Sequence, residues 1–273
     1  MDNDTIFNPT VLPLAPTNFR VTMQANGGCI KEGVVFVNLS PPFPPNVDIF
    51  GDTVICVGDS TQLEVVLGEV PSPFCGPSTS PCVGNNLTGI IGTGTTTNTQ
   101  YAVPAPYGGY YSSSRHQFLF KATELYAMGM TSGKISAISF ENLLIGNVSN
   151  FDNFEVKMGC TPSIDLTAGW ETGLTTVLPG YTHVATTGWN AHNFTTKYDW
   201  DGVSNLVIEI CYVNSGPSFG GTVSTKYSQS GFSSTRVTRA YNGNACGGVG
   251  FANVVTDRPN VKFDFCTGAN PNG

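Results

Sequence analysis

A chain of 273 residues can hold one large all-β domain, or a medium domain with a smaller companion, so core size is no restriction. Only 11% of its residues are charged, against roughly 25% in ordinary soluble domains, and glycine, hydroxyl and amide side chains abound, as in many secreted β-proteins. A net charge of -7 with no Lys/Arg cluster excludes the phosphate-neutralising footprint of nucleic-acid binding.

No stretch approaches the roughly 20 consecutive apolar residues of a membrane-spanning helix, so the chain is not expected to span a membrane. The opening MDNDTIFNPT has neither a basic nor an apolar region, which places any export signal outside this sequence. From Phe19, FRVTMQANGGCIKEGVVFVNLS alternates apolar and polar residues on both sides of ANGGC, the pattern of a hairpin with glycine in its turn. The stretch NLSPPFPPNVDIFGD then reads as a linker, because its four prolines forbid a helix and remove backbone donors. Two strands alone are marginal in water, so residues 1–40 read as the tail of a preceding domain or an edge piece of the next.

Beyond the linker, STQLEVVLGEV places Leu63, Val65 and Leu67 on one face of a half-buried strand. GTGTTTNTQYAVPAPYGGYYSSS, from Gly92, has no period and much turn chemistry, and predicts a long tyrosine-rich surface excursion. HQFLF resumes strand character. KATELYAMGM carries the one helical signal, with Glu124 in its first turn and Gly129 where a helix would stop. KISAISFENLLI, FDNFEVKMGC, NLVIEICYV and VKFDFC predict further strands, with Phe154, Val156, Met158, Val261, Phe263 and Phe265 turned inward. Alternation this regular, separated by turn residues and without an internal repeat, predicts an all-β fold: an antiparallel, jelly-roll-like β-sandwich.

Eight cysteines (Cys29, Cys56, Cys75, Cys82, Cys160, Cys211, Cys246, Cys266) show no C-x-x-C and no histidine at zinc spacing. An even count in a Gly/Pro-rich chain predicts disulfides and an oxidising compartment, extracellular or at the cell surface. Spacing suggests that Cys75 and Cys82 close the short CGPSTSPC loop, and that Cys160 and Cys211, each late in a strand, form a cross-strand or cross-sheet pair.

The densest chemistry is YDWDGVSN, from Tyr198. Asp199, Asp201 and Asn205 offer oxygens around the bend at Gly202, as a calcium loop would, although the spacing is not that of an EF-hand. The same residues are what a plain turn ahead of a strand uses. A glycosidase would need two carboxyls facing across a cleft, and little else marks Asp199 and Asp201 for that role. No G-x-S-x-G elbow is present, and His183 and His192, flanking TTGWN, read as surface or hydrogen-bonded residues rather than bases. No catalytic residue is therefore assigned and no enzyme is expected. Aromatic residues give the better hint: Tyr101, Tyr107, Tyr110, Tyr111, Trp170 and Trp189 could stack on sugars or fill a protein interface, with the PAPYGGYYSSSRH excursion as the binding face.

Several stretches carry a resemblance: ICVGDSTQL, RHQFLFKATELYAMGM, FDNFEVKMGCT, GWNAHNF, and above all YDWDGVSNLVIEICY and RPNVKFDFC. Over roughly residues 50–266 the chain resembles a module of very large secreted and cell-surface proteins of the Bacteroidota, including gliding-motility adhesins exported by type IX secretion. The NGGC hairpin and its proline-rich exit resemble the end of a PKD-like, immunoglobulin-type domain, which implies a boundary between residues 1–45 and a module at 46–268. It also implies that the partner of Cys29 lies upstream. The resemblance implies an adhesive or display unit with neighbouring domains, surface glycans or surface proteins as partners. DTI and DTV further resemble the O-glycosylation sequons of such bacteria, at Thr5 and Thr53. The alternative is a carbohydrate-binding module tethered to a hydrolase.

Overall fold

The computed structural model describes residues 17–24, 30–37, 47–50, 64–67, 75–78, 82, 86–99, 102–215, 222–248 and 252–267. The chain divides into two compact units, residues 1–70 and 71–273, so the break falls after residue 70 and not at 45/46. In the first unit, β1 (Thr17–Gln24) and β2 (Ile30–Val37) form the antiparallel hairpin read around ANGGC, with Thr17 opposite Val37. The boundary shifts because the proline-rich stretch is followed by a second antiparallel pair, β3 (Val47–Phe50) with β4 (Glu64–Leu67), grouped with the first unit. Thr5, Thr53, Cys29, Cys56 and Tyr101 lie outside the described residues.

The second unit runs through β5 (Gly76–Pro77), β6 (Asn86–Ile91), β7 (Thr96–Thr97), β8 (Ser113–Phe120), α1 (Ala122–Ala127), β9 (Gly133–Leu144) and β10 (Asn150–Thr161). It continues as β11 (Thr175–Val184), β12 (Gly188–Trp200), β13 (Asn205–Val213), β14 (Ser224–Gln229), β15 (Thr235–Ala240), β16 (Asn253–Val255), β17 (Asp257–Pro259) and β18 (Val261–Thr267). One antiparallel sheet has six strands in the order β11-β10-β13-β8-β15-β16; the other has eight, built on β17-β14-β9-β12-β5. In the larger sheet β18 pairs with both β9 and β6, and β7 pairs with β14. From β8 to β15 the chain changes sheet at nearly every connection, so the inward faces of both sheets are drawn from interleaved segments. This is an antiparallel β-sandwich.

Period-2 alternation decides what fills it. Phe154, Val156 and Met158 from β10, Ile208, Ile210 and Tyr212 from β13, and Phe118 and Phe120 from β8 meet Ile135, Ile138 and Phe140 from β9 and Val261, Phe263 and Phe265 from β18. Each such side chain taken from water contributes about 1.5–3 kcal/mol, so these aromatics dominate the cohesion of the sandwich. The predicted helix is the single turn-and-a-half α1: the Glu124 carboxylate accepts the Lys121 N–H at 2.9 Å, and Gly129, at φ 92°, ends it. Among the described residues, no helix is long and apolar enough to cross a membrane.

The predicted surface excursion after Gly92 is corrected at its centre. Pro104 to Gly109 are buried, and Tyr107 has no exposed surface. A loop can be buried only if its backbone polar groups find partners. Here Gly108 N–H bonds Ala105 O at 3.0 Å, Val223 N–H bonds Tyr107 O at 3.2 Å, and the Tyr212 hydroxyl bonds Gly108 O at 2.5 Å.

Six cysteines pair as Cys75–Cys160, Cys82–Cys266 and Cys211–Cys246, which replaces both predicted pairings. Register gives the reason. On the β10–β13 ladder Cys160 stands opposite Leu206 and Cys211 opposite Glu155, five residues away along the strand. The two also differ in parity: Cys160 shares the inward set of Val156 and Met158, whereas Cys211 lies between the inward Ile210 and Tyr212 and points out. Cys160 therefore reaches Cys75, beside β5 of the other sheet, and Cys82 is left for Cys266 on β18.

Candidate functional site

The chemistry least visible in the sequence lies where β11 hands over to β12. Tyr181 and His183 are two apart on β11 and His192 is on β12, so alternation brings all three to the seam between the sheets. Tyr107 enters the same space from the buried loop. Its hydroxyl is 2.6 Å from His192 Nε2, the Tyr181 hydroxyl is 2.7 Å from His192 Nδ1, and Tyr181 is again 3.2 Å from His183 Nδ1. The Phe154 ring stacks on His192 with centroids 4.4 Å apart. A neutral imidazole has one donor and one acceptor nitrogen, so the protons in this chain all run one way or all run the other. In both senses His183 Nε2 is left without a hydrogen-bond partner among the described residues.

Burial holds these groups uncharged. It pushes His183 down to about 4 and His192 well below the usual imidazole range, and it raises the phenols of Tyr107 and Tyr181, the latter to about 12. The third histidine behaves alike: burial pushes His116 down to about 3. Ala105 N–H donates to His116 Nε2 at 3.3 Å, which fixes the ring proton on Nδ1, facing Ser114 Oγ at 3.1 Å. Thus all three histidines act as internal hydrogen-bond joints, and none faces solvent as a poised base.

The predicted binding aromatics do not form one face. Tyr107 is core and is withdrawn from the binding set, because its ring packs on Phe140, Phe151 and Phe154. Tyr110 and Tyr111 are half-buried and cluster with Tyr241, with centroids 5.3 Å apart for the first pair and 5.9 Å for Tyr110–Tyr241. The Arg239 guanidinium lies 4.5 Å from the Tyr111 ring. Trp170 instead covers the outer face of the six-stranded sheet, 4.2 Å from Arg115 and 5.5 Å from Arg236. Beneath it Glu209 accepts from Arg115 at 2.7 Å and Gln117 at 2.8 Å, so this indole roofs a satisfied ionic cluster. Trp189 stands alone among the four, on the outer face of the eight-stranded sheet, with Lys262 5.4 Å from its ring centre.

The YDWDGVSN oxygens are turned to separate partners. Asp199 pairs with Lys134 at 2.7 Å, and Asn205 accepts from Ala122 N–H at 2.9 Å while donating to Ser163 O at 3.0 Å. Asp201 accepts from Val203 N–H and Ser204 N–H at 2.9 Å each and from Ser204 Oγ at 2.6 Å, the bonding of an Asx turn, with Gly202 at φ 76° supplying the bend. That geometry is a self-contained turn. Asp201 also approaches the Cys75–Cys160 pair, whose sulfurs are already joined to each other. Calcium added to EDTA-treated protein at matched ionic strength is therefore expected to leave the melting temperature unchanged; a rise that disappears in Asp201→Asn would overturn this.

Comparison with family models, curated proteins and solved structures finds no match to this chain. What sequence reasoning missed is the joining of His192 to Tyr107 and Tyr181, Tyr241 with Arg239, and the outward neighbours of Trp189. A signal existed for the first group: Tyr181-x-His183 places two polar rings on one face of a strand whose other inward residues are apolar.

Proposed function

We propose that the second unit is a non-enzymatic module of a secreted or cell-surface protein, serving adhesion or mechanical display, with neighbouring domains and surface molecules as its partners. The observation that carries this reading is the Cys82–Cys266 disulfide. It joins a residue ahead of β6 to the last strand across a sequence separation of 184. Tension that enters near residue 82 and leaves beyond residue 266 passes through one sulfur–sulfur bond, and the sheets between are relieved of it. Cys75–Cys160 and Cys211–Cys246 close further loops of 85 and 35 residues. Such bonds persist in oxidising compartments, which favours a location outside the cell.

Pulling single molecules by handles at the two chain ends tests it. The oxidised protein should never yield the extension of residues 82–266, whereas reduction should release about 600–660 Å of contour at about 3.3–3.6 Å for each of the 184 residues. Equal final lengths in both redox states would remove the load-bypass argument.

A further inference from the structure

On the outer face of the eight-stranded sheet, alternation sends Ile138, Phe140 and His192 into the core and leaves Ser139, Glu141 and Trp189 pointing outward. Trp189 stands opposite Glu141, and Lys262 on β18 stands opposite Ser139 on the other side of β9. Lys262 and Trp189 thus flank β9 diagonally, with the ammonium 5.4 Å from the ring centre. Next to them Ser139, although outward, has 0% exposure, and its Oγ has no hydrogen-bond partner among the described residues. A covered hydroxyl without a partner is a standing cost to the fold, of the kind that a ligand or a moved side chain relieves.

We infer that this face binds an uncharged saccharide, with Trp189 as the stacking platform, Ser139 as a hydrogen-bonding group, and Lys262 as a roof that swings aside on binding. The charges argue for the class. Glu141, opposite Trp189, pairs with Lys226 at 2.6 Å, and Lys262 leaves the indole when it swings aside. What then borders the ring is one ammonium and one carboxylate, which cancel. An anionic ligand would meet the carboxylate, a cationic one the ammonium, and an apolar peptide would strip water from the pair. A polyol meets both kinds of group, because each hydroxyl donates and accepts, while the C–H face of a pyranose lies on the ring. A lysine 5.4 Å from the ring centre of a half-buried indole makes a weak contact, so moving it loses little. This site is separate from the load-bypass reading, since neither Trp189 nor Lys262 lies in the Cys82–Cys266 link.

Affinity electrophoresis of the whole chain, in gels containing galactomannan, xylan, laminarin or hydroxyethylcellulose and in parallel gels containing alginate, tests the inference. Retardation by at least one neutral polymer is expected, and Trp189→Ala should weaken it by about tenfold or more. Ser139→Ala should weaken retardation without lowering the melting temperature, because it deletes an unsatisfied hydroxyl. Lys262→Ala should retain or strengthen it. Free migration in every gel, retardation by alginate alone, or retardation unchanged in Trp189→Ala would overturn the site. If Trp189→Ala fails to fold, the other two variants decide: loss of retardation in Lys262→Ala, or none in Ser139→Ala, overturns it.

Discussion

With its disulfides reduced, the protein should lose most of the stability of its second unit. A cross-link stabilises chiefly by narrowing the unfolded ensemble, and the effect grows with the logarithm of the loop it closes. On that scale the loops of 35, 85 and 184 residues put the three bonds at about 4–5 kcal/mol each. Residues 82–160 lie inside both larger loops, but the dependence on length is logarithmic, so the overlap removes little and the three together amount to about 12–13 kcal/mol. That is comparable with the whole stability of a typical domain, about 5–15 kcal/mol. Thermal unfolding followed by near-ultraviolet circular dichroism, with and without a phosphine reductant, should show the midpoint falling by about 20 °C or more. Loop length also sets a ranking among paired serine variants. Cys211→Ser/Cys246→Ser should cost least, and opening either of the two larger loops, which share residues 82–160, should cost more, by nearly equal amounts. A reduced protein melting where the oxidised one does would show that packing alone holds the sandwich.

How much of this was legible in the sequence depended on whether a feature is local. Phe154, Val156 and Met158, and likewise Val261, Phe263 and Phe265, declare their inward face by alternation, and all six are buried. The α1 start and stop, at Glu124 and Gly129, are written in adjacent residues and hold. Turn chemistry at Asp201 and Gly202 was readable for the same reason. What failed needed partners distant in sequence. Residues 102–112 look like a surface loop because prolines and glycines spell turns, yet Val223, Tyr212 and His116 satisfy the backbone and let Tyr107 enter the core. The cysteine pairs required both a ladder register and a face parity, neither of which spacing supplies. For the candidate site, tyrosine and tryptophan counts carried no information on side: Trp170 and Trp189 ended on outer faces of different sheets, over a closed ion cluster in one case and beside an unsatisfied serine in the other.

The same buried joints that pin the sheets together should make the protein acid-sensitive in a window set by histidine. Unfolded histidines titrate near 6.5. In the folded protein burial pushes His116 down to about 3 and His183 to about 4, with His192 held well below its usual range. Native pKa values lie below unfolded ones, so between these limits the unfolded chain binds protons that the native chain refuses. Stability is then complete above about pH 6.5 and falls as the pH drops toward the native values, the opposite of a histidine that gains an anionic partner. By about pH 5 the depressed His116 alone has withdrawn about 2 kcal/mol, and His192 and His183, both lowered by burial, act in the same direction. The structural cause is specific. Protonating His116 would set its Nε2–H against the Ala105 N–H that it now accepts, and protonating His192 would force both flanking phenols to accept and break the one-way order of the chain through Tyr107 and Tyr181. Urea unfolding at pH 7.5 and pH 5 measures the difference directly. The expected slope in this interval exceeds one proton taken up on unfolding and should drop by about one in His116→Gln, whose side-chain amide oxygen can still accept from Ala105. Unfolding free energies that coincide at the two pH values would mean that the three rings are charged, or solvated, in the native state.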